Sequence, residues 1–411
     1  MRDVSAASED VVRRLRLLVA VALLLGACAS PAATTTTGAR SMAETTITAV
    51  APTATTAPTS TTTTGPREPG WYVVSVTAAL PEGFAAGLAD IPGVDAVSTV
   101  RVGIVNVVAT RDAGGPPVDE APEGYALPLE AQSFDPGDHS AYVPPDVADV
   151  LDDLDEGLAV LSESSASFRR LGEDAELVLD DGSVLTVIGV VGDEWVGAAE
   201  IVLAPQDAER LEVSNERYSI VSFEGTRREL EQLANATTEA EVRVMSRDDV
   251  DVFRHADAVA AQIAIKQRFG EFAYRPADGD TIEIDPAWTE ANIRRESVPL
   301  LGEVVCHVAF LELLRSAMTA LAEAGFSDAV DPDAYAGCWY PRRIRQRTDL
   351  SRHAWGVAAD INFWNEADES PGAPDDPRLV EALAAVGVRS GHAWTDPDPG
   401  HFEWFGPVAD E

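Results

Sequence analysis

Two periods of apolar residues run along this chain, and they fall in different parts of it. Between residues 71 and 250 the apolar runs are short and strand-like, as in Trp71 to Val76 and Val102 to Ala109. Two more, Ala175 to Leu179 and Ser183 to Ile188, flank Asp180-Asp181-Gly182. Asp-Gly between two β-prone runs predicts a hairpin. Arg227 to Ala234 reads as a helix, and Glu241 to Met245 as a strand. Further on, Phe310, Leu313, Leu314, Ala317, Met318 and Leu321 recur at the spacing of one helix face, with Gly325 placed to end it. A second helix opens on Asp376 as N-cap and Pro377 at the first helical position, turns Leu379, Leu383 and Val386 inward, and ends at Gly387. Strand-like runs at Val357 to Asn362 and Gly400 to Trp404 surround these helices. The pattern predicts an α+β unit over 267–411, a β-rich accessory unit over 69–250, and a connecting helix over 251–266.

The N-terminus carries targeting grammar. Arg13, Arg14 and Arg16 precede an apolar run over 17–25, too short to span a bilayer, which needs ~20 apolar residues. The run ends in Leu25-Gly26-Ala27-Cys28, which resembles the bacterial lipobox. Residues 1–27 are therefore expected to be a lipoprotein signal peptide and Cys28 the lipidated residue, with an ordinary secretory signal cut near Ala29 or Ala32 as the alternative. Residues 28–68, dominated by Thr, Ala, Ser and Pro, cannot bury enough apolar surface to offset their ordering entropy and are expected to be a disordered linker. The expected location is the extracytoplasmic face of the cell membrane, held by the lipid anchor.

Charge narrows the partners. The formal net charge is −39, which argues against nucleic acid, because affinity for a phosphate backbone comes from Lys and Arg. Two of the three cysteines, Cys306 and Cys338, lie in the C-terminal unit. In an exported chain such a pair reads as one disulfide; the alternative, a pair of zinc ligands, lacks the CxxC spacing. In the β-rich unit the run Asp152, Asp153, Asp155 and Glu156 is consistent with a solvated face. The stretch Leu161 to Leu203 resembles the extracytoplasmic domains of some bacterial ABC-transporter permeases, and no catalytic constellation accompanies it. This unit reads as a binding or positioning module whose partner the sequence does not name.

Two of the six histidines sit in segments with metal-site grammar: Ser351-Arg352-His353-Ala354-Trp355-Gly356-Val357-Ala358-Ala359-Asp360, and Asp396-Pro397-Asp398-Pro399-Gly400-His401-Phe402-Glu403-Trp404. A catalytic zinc takes three nitrogen or oxygen ligands and an open fourth position, a set that His353, Asp360 and His401 supply. His353 and Asp360 are seven residues apart, so a turn entering a strand near Val357 has to bring them together, with Gly356 and Ala358 allowing close approach. Asp398 is placed to act as general base, although Asp beside Pro is also an ordinary turn residue. His139 and His255 read as exposed, His307 as lining the site or packing, and His392 as an exposed loop residue, with a supporting contact to the site near Trp394 as the alternative.

Ser-x-His-x-x-Gly-x-Ala-x-Asp, followed some forty residues on by Trp-Thr-x-Pro-Asp-x-x-His-Phe-Glu-Trp, resembles the zinc D-alanyl-D-alanine carboxypeptidase family, which includes L-alanyl-D-glutamate endopeptidases. The resemblance is strong over Ala336 to Phe405. It implies a small α+β domain of the hedgehog type and zinc on His353, Asp360 and His401. It further implies Asp398 as acid/base, Ser351 at a substrate-binding position, and Arg342 as the arginine that stabilises the oxyanion, with Arg343 and Arg345 as alternatives. The implied activity is hydrolysis of peptide bonds in peptidoglycan stem peptides. A zinc-stabilised module that only binds wall peptides is the rival reading, and Asp398 speaks against it. Gly400 stands where the family often has Met.

Overall fold

The computed structural model describes residues 70–76, 79–197, 199–246, 260–345, 347–363, 375–392, 394 and 397–406. The expected signal peptide, linker and Cys28 lie outside them, as do His255 and the first part of the expected connecting helix. Among the described residues no helix is long and apolar enough to cross a membrane.

Ten strands make one large sheet in the N-terminal half: β1 (Gly70–Val76), β2 (Val94–Arg111), β3 (Pro117–Glu120), β4 (Leu127–Ser133), β5 (Leu158–Ser162), β6 (Glu176–Leu179), β7 (Val184–Val191), β8 (Ile201–Leu203), β9 (Asn215–Phe223) and β10 (Val242–Ser246). Their order is β10-β1-β9-β2-β4-β8-β5-β7-β6, with β3 beside β2. Because β6 also pairs with β2, the strands from β2 to β6 close into a ring. The long β2 makes this possible, pairing β9 through Val94–Val102, β4 through Arg101–Val107 and β6 through Val107–Arg111. The β6–β7 hairpin turns at Gly182, whose φ of 85° favours glycine. Thr226 and Glu229 form a capping box on helix Arg227–Asn235, which packs against β10.

His139 is a correction to the sequence reading. It is 1 % exposed, its ring stacks on Phe134 with centroids 3.7 Å apart, and Nδ1 lies 2.9 Å from Ser98 Oγ. A Gly/Asp-rich stretch suggested a surface loop. Instead it folds into a short helix, Pro136–His139, that turns this imidazole into an aromatic cluster with Tyr142 and Trp195.

The C-terminal half is α+β. Two hairpins, β11 (Tyr274–Pro276) with β12 (Ile282–Ile284) and β13 (Ile293–Val298) with β14 (Gly302–His307), precede helix Val308–Glu323. That helix buries Phe310, Leu311, Leu314, Ala317, Met318 and Leu321. Helix Pro377–Ala384 carries the expected cap, with the Asp376 side chain accepting from Arg378 N. A three-stranded antiparallel sheet then follows in the order β15 (Ala358–Asp360), β17 (Asp398–Trp404), β16 (Val388–Gly391).

Of the expected connecting helix over residues 251–266, only residues 260–266 are described, and a helix there spans Gln262–Phe269. It does not merely join two units. Ile265 and Phe269 belong to the C-terminal core, while Gln262 and Lys266 point into the β-rich unit. Lys266 Nζ lies 2.7 Å from Glu200 Oε1 and 2.7 Å from Glu271 Oε1. Arg169 Nη2 lies 2.9 Å from Glu200 Oε2 and 2.6 Å from Glu271 Oε1. Burial alone would push the Glu271 carboxyl up, but Lys266 and Arg169 hold it down at about 2. Two cations and two carboxylates therefore neutralise one another inside the seam between the units, which is how buried charge is tolerated.

Candidate metal centre and its cleft

Strand pairing brings the first two metal-ligand candidates together. Asp360 lies directly opposite His401 in the β15–β17 pair, and His401 Nδ1 is 3.0 Å from Asp360 Oδ1. The third arrives from a 3-10 turn, Arg352–Ala354, capped by the Ser351 side chain. Gly356 then adopts φ 68°. A Cβ there would sit 2.7 Å from the His307 backbone nitrogen, so glycine is what lets the turn enter β15 so tightly. The result puts His353 Nε2 at 3.3 Å from both His401 Nδ1 and Asp360 Oδ1.

The outer contacts decide which atoms face inward. His353 Nδ1 lies 2.6 Å from the Cys338 carbonyl oxygen. A carbonyl only accepts, so Nδ1 carries the proton and Nε2 keeps its lone pair. Likewise His401 Nε2 is 3.3 Å from Glu403 Oε2, which turns Nδ1 toward Asp360 and His353. Burial alone would depress His401, but the carboxylates of Asp360 and Glu403 push it up to about 10, so its Nδ1 proton has to leave before that nitrogen can hold a metal. Burial would raise Asp360, yet the two imidazoles beside it, His353 and His401, hold it well below the carboxylate range.

Two imidazole nitrogens and a carboxylate oxygen thus converge, all within 4.8 Å of one another. Bonds of ~2.0–2.1 Å from a tetrahedral zinc put neighbouring donors about 3.3 Å apart. The observed 3.0–3.3 Å spacings fit that ion. Among the described residues this trio is the one group of His, Cys, Asp and Glu so arranged.

Of the trio, His401 lines a cleft of about 450 Å³, together with Arg342, Ser351 and Asp398. Arg343 does not line it. Its Nη2 reaches the Gly279 carbonyl at 3.4 Å instead. Arg342 bridges to Thr281 and Arg343 to Leu350, and successive residues of an extended segment face opposite ways. Arg345, the other alternative, shares the cleft and is exposed.

Cys306 and Cys338 are disulfide-bonded, with Cα atoms 5.5 Å apart, so the reading as zinc ligands is excluded. His307 packs: Nε2 lies 3.0 Å from the Phe269 carbonyl, and Nδ1 accepts from Ala309 N at the start of helix Val308–Glu323. His392 is exposed. Gly400 has φ 86°, and a Cβ there would meet Phe363 Cα at 3.1 Å, which accounts for glycine in place of Met. The sequence reading missed the roles of Glu403 and Glu130. Glu403 was legible as the same-face neighbour of His401 on a strand. Glu130, which lines the cleft and lies 3.5 Å from Arg352 Nη2, comes from the other unit and left no local signal.

Residues 345–404 match the family model described as D-alanyl-D-alanine carboxypeptidase. That similarity bears out the resemblance read from the motifs and marks the C-terminal unit as peptidase-like. No curated protein matches the chain. Several solved structures align with it, among them the following two. The periplasmic region of MacB from Actinobacillus actinomycetemcomitans aligns at 13 % identity over 44 % of this chain and 89 % of its own, with a TM-score of 0.30. The extracellular domain of the noncanonic ABC-type transporter YknZ from Gram-positive bacteria aligns at 16 % identity over 43 % of this chain and 100 % of its own, with a TM-score of 0.27. At these scores neither supports an inference about this chain.

Proposed function

We propose that the C-terminal unit is an extracytoplasmic zinc metallopeptidase that hydrolyses peptide bonds in peptidoglycan stem peptides, as a D-alanyl-D-alanine carboxypeptidase or an L-alanyl-D-glutamate-type endopeptidase. The observation that carries this reading is the donor trio His353, Asp360 and His401, spaced for zinc, within the segment that matches the carboxypeptidase family model. A zinc ion held there supplies Lewis acidity, polarising a carbonyl and acidifying a water.

The chain's own residues do the rest. Asp398 takes a proton from the attacking water and returns it to the amine as the C–N bond breaks. Arg342 offers guanidinium hydrogen bonds to the negative charge that builds on the carbonyl oxygen. Ser351, at the cleft wall, orients the peptide. The spacer over 28–68 and a lipid on Cys28 would hold the folded part near its polymeric substrate. The test is digestion of defined muropeptides by the purified protein, with and without a chelator, read by mass spectrometry. Chelator-sensitive release of D-alanine or of a D-glutamyl peptide is expected. Intact muropeptides at full zinc occupancy would sink the reading.

A further inference from the structure

Five arginines line the cleft beside the donor trio: Arg217, Arg342, Arg345, Arg347 and Arg352. The whole chain has 30 Lys and Arg against 69 Asp and Glu, so this concentration of cations runs against the global charge. The acids lining the same cleft are Glu130, Asp349, Asp398 and Glu403. Two of them have local work, since Glu130 faces Arg352 and Glu403 faces His401. A cleft so lined favours an anionic group on its ligand.

Four of the arginines come from the C-terminal unit. Arg217 comes from β9 in the β-rich unit, and Val102 and Glu130 of that unit line the cleft with it. The cleft therefore has two walls, one from each unit. The two units are held close beside it: a Cβ on Gly103 of β2 would meet Val213 Cα at 3.2 Å and Thr348 Oγ1 of the C-terminal unit at 3.5 Å. Tyr274 of the C-terminal unit pairs with Ala126 and gives its hydroxyl to Asn106 Oδ1 at 2.9 Å.

Arg217 reaches the cleft through a break in the ladder. Tyr218 lies opposite Val100 and Glu216 opposite Arg101, so Arg217 is the extra residue of a β-bulge. A bulge re-aims a side chain that regular pairing would send elsewhere. The pairing of β9 with β1 also stops at Tyr218. The residue is 2 % exposed, so its guanidinium lies in a desolvated wall, where a two-pronged bond to a carboxylate is strong.

We propose that the β-rich unit is part of the substrate site, and that Arg217 is a specificity residue pairing with a carboxylate of the bound peptide. This rests on the peptidase reading above and adds the group that is recognised. The carboxylate has two possible sources, the peptide's C-terminus or an acidic residue within it.

The test uses the full chain and one peptide in four forms: N-acetyl-L-alanyl-γ-D-glutamyl-L-lysyl-D-alanyl-D-alanine as the free acid, with its C-terminus amidated, with its glutamyl α-carboxylate amidated, and with both amidated. Binding is read by calorimetry after chelation, so that nothing is turned over, and KM and kcat are read on the zinc-loaded chain. Wild type is expected to bind the free acid at least tenfold more tightly than the double amide. Arg217→Gln should erase that preference, raising KM about tenfold or more with kcat changed much less, and Arg217→Lys should keep part of it. The single amide that matches the double amide identifies the source.

Equal binding of acid and double amide by wild type overturns the proposal, and needs no variant to fold. So does an Arg217→Gln chain of unchanged unfolding temperature that keeps the preference, or an Arg217→Lys chain that equals wild type. Cleavage of stem peptides without any preference removes the role of Arg217 and leaves the peptidase reading standing. No binding and no cleavage of any form removes both.

Discussion

The Cys338 carbonyl oxygen accepts a hydrogen bond from His353 Nδ1 at 2.6 Å, and the Cys338 side chain is bonded to Cys306. One residue thus sets the tautomer of a candidate metal ligand and is itself tied to β14. The bond closes a loop with a sequence separation of 32, worth roughly 3–4 kcal/mol in the chain-entropy model. Replacing both cysteines by Ala should lower stability by about that amount. It should also weaken metal binding by about 10–100-fold, because outer contacts of metal-bound histidines have effects of that size. Thermal unfolding and a metal titration of the double variant check both. Lost stability with unchanged metal affinity would separate the disulfide from the ligand.

Asp398 and the metal donors should behave differently. His353→Ala is expected to lose most of the bound zinc. Asp398→Asn should keep it and lower kcat by about 10²–10⁴-fold, the usual range for a general base. Arg342→Ala should also keep zinc and lower kcat, and Arg343→Ala should do much less, since Arg343 turns away from the cleft. Elemental analysis with stem-peptide kinetics reads all four. Near-normal turnover by Asp398→Asn at full zinc would remove that residue from the mechanism.

Gly356→Ala is expected to cost at least about 2 kcal/mol. An L-residue in the left-handed region costs ~1 kcal/mol or more, and here a Cβ would also press on the His307 nitrogen at 2.7 Å. Because Gly356 follows the His353 turn directly, metal affinity should fall as well. Denaturant unfolding with a metal titration measures both, and an Ala variant as stable as wild type would contradict the geometry.

The seam between the units should respond sharply to loss of one charge. Glu200 meets both Arg169 and Lys266, so Glu200→Gln leaves excess buried positive charge. Breaking a buried pair from one side typically costs ~3–5 kcal/mol. The variant should unfold at a markedly lower temperature, and if the seam couples the two halves, calorimetry should show both losing stability. A drop confined to the β-rich half would show that the units are stabilised independently.

Stability should decline below about pH 6.5. Burial pushes His139 down to about 4, against the Trp195 carbonyl that raises it, and burial likewise pushes His307 down to about 4, against the Phe269 carbonyl. Both are depressed from the ordinary 6.5 of the unfolded chain, so the unfolded state takes up protons first as pH falls. The stability they contribute is complete above pH 6.5 and is lost on the way down to about 4. His139→Phe or His139→Gln should flatten that decline. A variant whose pH dependence matches wild type between 6.5 and 4 would remove His139 from the account.

Much of this protein was legible along the chain, because the signals are local. The face Phe310 to Leu321, the Asp376-Pro377 start, the Asp-Gly hairpin and the helix over Arg227 to Ala234 each depend on residues within a few positions of one another. Strand and helix periods and capping geometry act over that range. The donor set His353, Asp360 and His401 was legible too, as spacing and residue type. Tertiary structure decided which atoms of those donors converge, because the Cys338 carbonyl and Glu403 carboxylate that turn the two rings arrive by folding. It also decided that Arg342 rather than Arg343 faces the cleft, through the register of one extended segment. It buried His139, which composition alone had placed outside. And it put Arg217, Glu130 and Val102 in the wall of a cleft whose other side begins more than a hundred residues later in sequence. Nothing short-range encodes that last arrangement: it depends on a closed sheet, a bulge, and a seam of four buried charges that join the two halves.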